Sequence, residues 1–143
     1  MECEEHIGFA VKSLNNQLRR TMDQRVQECG LTGMQGMLLG YLYDCMQAGR
    51  EIFQRDLERD FGIRRSTVTG VLQLMEREGL ILREAVAEDA RLKRLKLTEK
   101  AYEKHRQMGD KLEEIERQMR RGLSEDEIRM FFALVRRIEK NLG

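Results

Sequence analysis

Within ten residues, from Arg64 to Gln73, the chain places Arg64, Arg65, Ser66, Thr67, Thr69 and Gln73. These groups bind rather than cut. Long cations meet phosphates, and short hydroxyls and amides meet base edges. A second charged cluster follows, with Asp89, Arg91 and Lys93 crowded into a short connection. Catalytic constellations are missing from the sequence. It has no Gly-rich phosphate loop, no Ser-His-Asp set and no His/Cys cluster at ligand spacing. Neither a cofactor nor a metal is called for, and the chain does not read as an enzyme.

The elements that must carry these groups can be read from hydrophobic periodicity. Val68, Val71, Leu72 and Met75 fall at i, i+3, i+4 and i+7, so residues 64–78 form a helix with one apolar stripe. The cations and hydroxyls occupy its other face and first turn. Residues 53–60 form a two-turn helix with Leu57 inward, and Phe61-Gly62-Ile63 is the tight turn between the two. Gly79 ends the second helix. Residues 80–86 and 92–97 then read as strands around a charged tip at 87–91, with Leu95 and Leu97 alternating with Arg94 and Lys96. The tip has no Asn-Gly, which predicts a loop longer than two residues. Helix, turn, helix and β-hairpin in this order make a winged helix-turn-helix, which places one helix in a DNA groove.

The flanks are helical. An opening helix over 5–29 shows Ile7, Val11, Leu14, Leu18, Met22 and Val26 on one side. Thr32 and Gln35 form a capping box for a largely buried helix reaching residue 47. Thr98 caps a long helix over 98–121, whose Ala101, His105, Met108, Leu112, Ile115 and Met119 follow alternating steps of four and three, a heptad seam. The rest of that rod is polar, so the seam needs another helix. Ser124 with Glu127 is a second capping box, opening a last helix that carries Ile128, Phe131, Phe132, Val135 and Ile138. The fold class is mainly α with a small β-hairpin wing. One chain spans 1–143, with a winged-helix DNA-binding unit at 32–97 and dimerisation helices at 1–30 and 98–143.

Composition agrees. The chain has 143 residues and no proline, where average usage gives about seven. The net charge of +1 excludes a generic polyanion binder, but residues 62–98 hold eight Lys/Arg against five Asp/Glu. Cys3, Cys29 and Cys45 are odd in number and far apart, which argues against a disulfide framework and for a reducing cytoplasm. The acidic, polar start is no signal peptide, and no apolar run reaches membrane-spanning length, so no membrane partner is expected.

The runs IRRSTVTGVLQLMEREGLI (63–81) and EDARLKRLKLTEKA (88–101), with LTGMQGMLLGYL (31–42), resemble the MarR family of bacterial transcriptional regulators. The resemblance covers almost the whole chain. Its specific parts are the S-T-x-T step opening the recognition helix and the Asp-x-Arg wing tip that runs on to Leu-Thr. It implies a homodimer binding pseudo-palindromic promoter DNA. It also implies repression relieved by a small, often aromatic, anionic effector or by cysteine oxidation. Carried over by position, Ser66, Thr67 and Thr69 face the major groove, with Gln73 one turn further on. Arg64 and Arg65 sit where phosphates meet the helix start. Asp89 orients Arg91, which enters the minor groove, and Lys93 touches phosphate. Gly70 departs from the pattern, since this position often holds an arginine; Arg64 and Arg65 are the substitutes at hand.

Two other readings stand beside this one. A winged helix can bind protein instead of DNA, as the near-neutral charge would allow. A thiol-based redox sensor would need a reactive cysteine, yet Cys29 and Cys45 lie on apolar faces and Cys3 has acidic neighbours that disfavour a thiolate. His105 lies on the seam as a packing or hydrogen-bonding group. Met34, Met37, Tyr41, Tyr43 and Phe53 read first as core; the other reading is a sensing pocket between the DNA unit and the dimerisation helices, since Met surfaces adapt to varied ligands.

Overall fold

The computed structural model describes residues 5–143. Cys3 and the acidic start fall outside them. The elements run α1 (Ile7–Glu28), α2 (Gly33–Gln47), β1 (Ile52–Phe53), α3 (Gln54–Phe61), α4 (Arg65–Arg77), β2 (Ile81–Val86), β3 (Asp89–Leu97), α5 (Glu99–Arg120) and α6 (Glu125–Leu142). The strands form one antiparallel sheet in the order β1-β3-β2. Mainly helical architecture with a small wing is therefore what the chain adopts.

The caps form where the side chains demand them. Thr32 Oγ1 accepts from the Gln35 amide at 3.1 Å and Gln35 Oε1 accepts from the Thr32 amide at 3.1 Å. Ser124 and Glu127 exchange the same pair of bonds before α6, and Thr98 Oγ1 accepts from Ala101 N ahead of α5. Each satisfies amides that a helix start leaves without partners. Gly62 takes φ +60° between α3 and α4, a left-handed turn that costs little without a Cβ.

The core lies under the helix-turn-helix. Leu39, Leu57, Leu72, Met75 and Ile81 are fully buried, joined by Leu38, Leu42, Ile52, Val68 and Leu80. Val68, Leu72 and Met75 are the predicted stripe of α4; Val71 is only half-buried. Gly36 marks the tightest meeting of helices. A Cβ there would stand 2.9 Å from Val26 Cγ1 of α1 and 3.4 Å from Met108 Sδ of α5.

Two expectations are corrected in the fold. The wing turn is short: Val86 pairs with Asp89 across Ala87-Glu88. The slack lies in β3 instead, because the next pair is Ala85 with Lys93 and residues 90–92 bulge out of register. Every described residue with positive φ is a glycine. A tip without glycine thus leaves its surplus residues in the strand. Met37 is also no core residue but 46% exposed.

The heptad seam divides into two edges. Ala101, Met108 and Ile115 are buried within this chain, while Leu112 and Met119 stay 43% and 44% exposed. The covered edge faces α1 and α2, where Lys111 pairs with Glu28 at 3.4 Å and His105 stacks on Tyr43 at 3.7 Å. No residue of α1 or α6 is buried in the described structure. Phe131 and Phe132 remain 51% and 44% exposed.

Candidate nucleic-acid interface

The fold brings four of the predicted residues to one groove. Arg65 and Thr69 enter it from α4, and Arg91 and Lys93 from the wing. Gln54 and Arg55 at the start of α3 and Arg83 on β2 complete a largely cationic wall around about 570 Å³. Glu58 is the one carboxylate in the lining. The other predicted residues stand elsewhere. Ser66, Thr67 and Gln73 are exposed on α4 and Arg64 at its N-cap, all outside the groove. Asp89 is exposed at the wing turn.

The wing's cations divide by their partners. Arg94 pairs with Glu51 at 3.2 Å, Lys96 with Glu84 at 3.3 Å, and Arg83 with Glu76 at 2.7 Å. Among the described residues, no carboxylate lies within 4.0 Å of Arg55, Arg64, Arg65, Arg91 or Lys93. Exposed ion pairs contribute little stability, so their value here is in sorting charge. The paired cations are neutralised close by, and the unpaired ones leave net positive charge at the groove and helix start.

Asp89 acts on Arg91 through the backbone. Its Oδ1 accepts from the Arg91 amide at 2.9 Å, an Asx turn that fixes the chain direction at the bulge. Thr69 Oγ1 accepts from Gln54 Nε2 at 2.7 Å. The Thr69 hydroxyl proton is thereby left free to donate elsewhere, and the amide of Gln54 is carried to the same wall. Helix α4 starts without a side-chain cap, its N-cap Arg64 extended at φ −62° and ψ 142°. Its first amides and its dipole are thus available to an anion.

Gly70 faces open space, for an added Cβ would meet nothing within 4 Å. Packing does not require glycine there. The missing side chain only changes the exposed chemistry of α4. Sequence reasoning overlooked two lining cations, Arg83 and the unpaired Arg55. The signal for Arg55 was positional: the first helix of a helix-turn-helix runs beside the duplex backbone, so residues opening α3 belonged among the candidates.

Away from the groove lining, α2 and α3 are joined by Tyr41, whose hydroxyl donates to Asp60 and whose ring meets Phe61 edge-on at 5.0 Å. The bond to Asp60, aided by burial, pushes the Tyr41 phenol up to about 12. Arg59, bonded at 2.9 Å, and then Tyr41 hold the Asp60 carboxyl below its usual range. No group of His, Cys, Asp and Glu able to hold a metal exists among the described residues. None of the described helices is long and apolar enough to cross a membrane.

Comparison with known proteins places this geometry. A sequence model of the MarR family matches residues 30–92. The transcription regulator MarR from Oenococcus oeni PSU-1 is 32% identical, with 94% of this chain and 99% of that chain covered and a TM-score of 0.62. MepR, a transcription regulator of the Staphylococcus aureus multidrug efflux pump MepA, is 25% identical over 96% of this chain and 99% of its own, with a TM-score of 0.89. The S. aureus MepR–DNA complex matches at 25% identity and a TM-score of 0.68, covering 99% of this chain and 100% of that one.

Proposed function

Because the chain belongs to the MarR family of winged-helix transcription regulators, we propose that it is a homodimeric repressor of pseudo-palindromic promoter DNA, relieved by a small ligand. One observation carries the DNA reading: the groove between α4 and the wing gathers Arg65, Arg91 and Lys93 with no carboxylate partner. In the proposed arrangement residues 32–97 form the reading unit. Ser66, Thr67, Thr69 and Gln73 face base edges in the major groove. Arg64, Arg65 and Lys93 meet phosphates, and Arg91, steadied by Asp89, enters the minor groove. Residues 1–30 and 98–143 join two copies. The support for a second copy is α6, which buries none of its residues in this chain. A small aromatic anion entering the cationic groove would compete with phosphates for the same arginines, which gives relief a physical route.

Selection from a pool of randomised duplexes tests this. A palindromic sequence should be enriched, its half-sites about ten base pairs apart, one DNA turn. Its affinity should fall steeply with salt as counterions are released. Enrichment of nothing, with no duplex binding even at low salt, would sink the DNA reading in favour of the protein-interaction module. The redox reading has little support in the described cysteines, since Cys29 and Cys45 are buried at 3% and 5% exposure. It rests on Cys3, and an unchanged peroxide response after Cys3→Ser would remove it.

A further inference from the structure

Gln35 is the one buried polar residue among those described, at 2% exposure. A buried amide must spend its hydrogen bonds, and this one spends them on two different elements. Its Oε1 closes the capping box of α2 by accepting from Thr32 N at 3.1 Å. Its Nε2 donates to Glu78 Oε2 at 3.1 Å, across 43 residues of sequence, at the end of the recognition helix α4. The same end of α4 is gripped from α5. Lys100 Nζ donates to the Glu78 carbonyl at 2.7 Å, and Thr98 Oγ1 donates to the Gly79 carbonyl at 2.6 Å. Thr98 N adds a bond to the Leu80 carbonyl at 3.1 Å.

Resting on the DNA-binding reading, we propose that Gln35 is a positioning residue for DNA recognition: with Lys100 it pins the C-terminal end of α4 and so sets the tilt of its DNA-facing start. The core stripe of Val68, Leu72 and Met75 fixes how α4 is rolled about its axis. Leu72, midway along that stripe, is the pivot about which α4 can swing once its C-terminal end is released. Ser66 lies six residues before Leu72, about 9 Å along the axis, so a tilt of ~20° about that pivot moves the N-terminus by about 3 Å. That is the length of a hydrogen bond, enough to break base contacts while phosphates stay within reach. Gln35 touches no DNA in this arrangement and acts only through α4.

Two substitutions separate this role from mere stability. Gln35→Glu keeps an acceptor for Thr32 N, so the cap survives, but it sets a carboxylate against that of Glu78, where two like charges cannot comfortably ionise together. Adding Glu78→Gln restores the bond with donor and acceptor exchanged. Thr32→Ala is the control, removing the cap and leaving the link to Glu78. Affinity for the selected palindrome and for an unrelated duplex is measured by fluorescence anisotropy, with a thermal melt for each protein. Gln35→Glu should lose roughly tenfold in the ratio of specific to non-specific affinity. The double variant should recover it, and Thr32→Ala should melt earlier with the ratio unchanged. An unchanged ratio in Gln35→Glu, or no recovery in the double variant, would overturn the role of Gln35. A wild-type protein that prefers no duplex would instead overturn the DNA-binding reading, and this role with it.

Discussion

Thr67 and Arg91 are both exposed, and the proposed arrangement gives them different duties. Thr67 lies in the first turn of α4, where a hydroxyl can reach a base edge. Arg91 leaves the wing from a backbone that Asp89 holds by the 2.9 Å bond to its amide. Thr67→Ala should therefore shift or relax base preference while non-specific affinity stays near wild type. Arg91→Ala should cost about 1–3 kcal/mol in binding the selected palindrome, and Lys93→Ala should lower the salt slope by about one. Competition titrations over a salt series measure all three. Wild-type behaviour in both Thr67→Ala and Arg91→Ala would mean that the roles are wrongly assigned.

Tyr41 offers a test of how α2 is tied to the end of α3. Its phenol is pushed up to about 12 by the bond to Asp60 and by burial, against about 10 for a free tyrosine. A pKa raised in the folded state contributes stability that is fully present below the unfolded value. That contribution is lost as pH rises through the window from about 10 to about 12. The stability difference between wild type and Tyr41→Phe should thus be constant at neutral pH and shrink across that alkaline window, in denaturant titrations at stepped pH. A difference that stays flat to the top of the window would show that the bond does not survive in solution. Gly36 tests the next contact along α2. Gly36→Ala must displace Val26, whose Cγ1 would lie 2.9 Å from the new carbon. Overpacking of this kind costs about 1–3 kcal/mol, offset by up to about 1 kcal/mol from replacing a helical glycine, so a net cost of about 1–2 kcal/mol should appear as a lower urea midpoint at unchanged slope.

These elements were legible in the sequence to different depths, for physical reasons. Caps are local, so Thr32 with Gln35 and Ser124 with Glu127 could be read from residues three apart. The stripe Val68, Leu72 and Met75 was legible because helical period alone decides which face is buried. The wing was read less well. A hairpin can store surplus residues in its loop or in its strand, and here the bulge before Lys93 took them. What no local pattern could show is which residues meet across the fold. Arg65 and Thr69 were read as belonging to α4 and Arg91 and Lys93 to the wing; Gln54 and Arg55 had only their position at the start of α3 to mark them, and Arg83 joins the groove by tertiary placement alone. The link from Gln35 to Glu78 was invisible for the same reason, since the capping box already accounted for Gln35.

The whole molecule leaves its ends unfinished. Helix α6 has eighteen residues and none of them is buried, although Met130, Phe131, Phe132 and Leu134 are 60%, 51%, 44% and 45% exposed. An isolated helix of this length is marginal in water, and its stability ordinarily comes from packing an apolar face. The same deficit recurs at the start of α1, where Ile7, Phe9, Val11 and Leu14 are all more than half exposed. It recurs again on the uncovered edge of α5 at Leu112 and Met119. Apolar surface at both chain ends fits a second copy crossing the first, and two joined copies are what a palindrome requires. Each phenylalanine fully buried in such an interface contributes about 1.5–3 kcal/mol, and symmetry counts every residue twice. Phe131→Glu with Phe132→Glu should therefore give a monomer in equilibrium sedimentation at micromolar concentration, with the circular dichroism of the winged-helix unit kept. That monomer should bind the selected palindrome no better than it binds a single half-site. A double variant that still sediments as a dimer would place the joining surface elsewhere, and a wild-type monomer would leave α6 to some other partner.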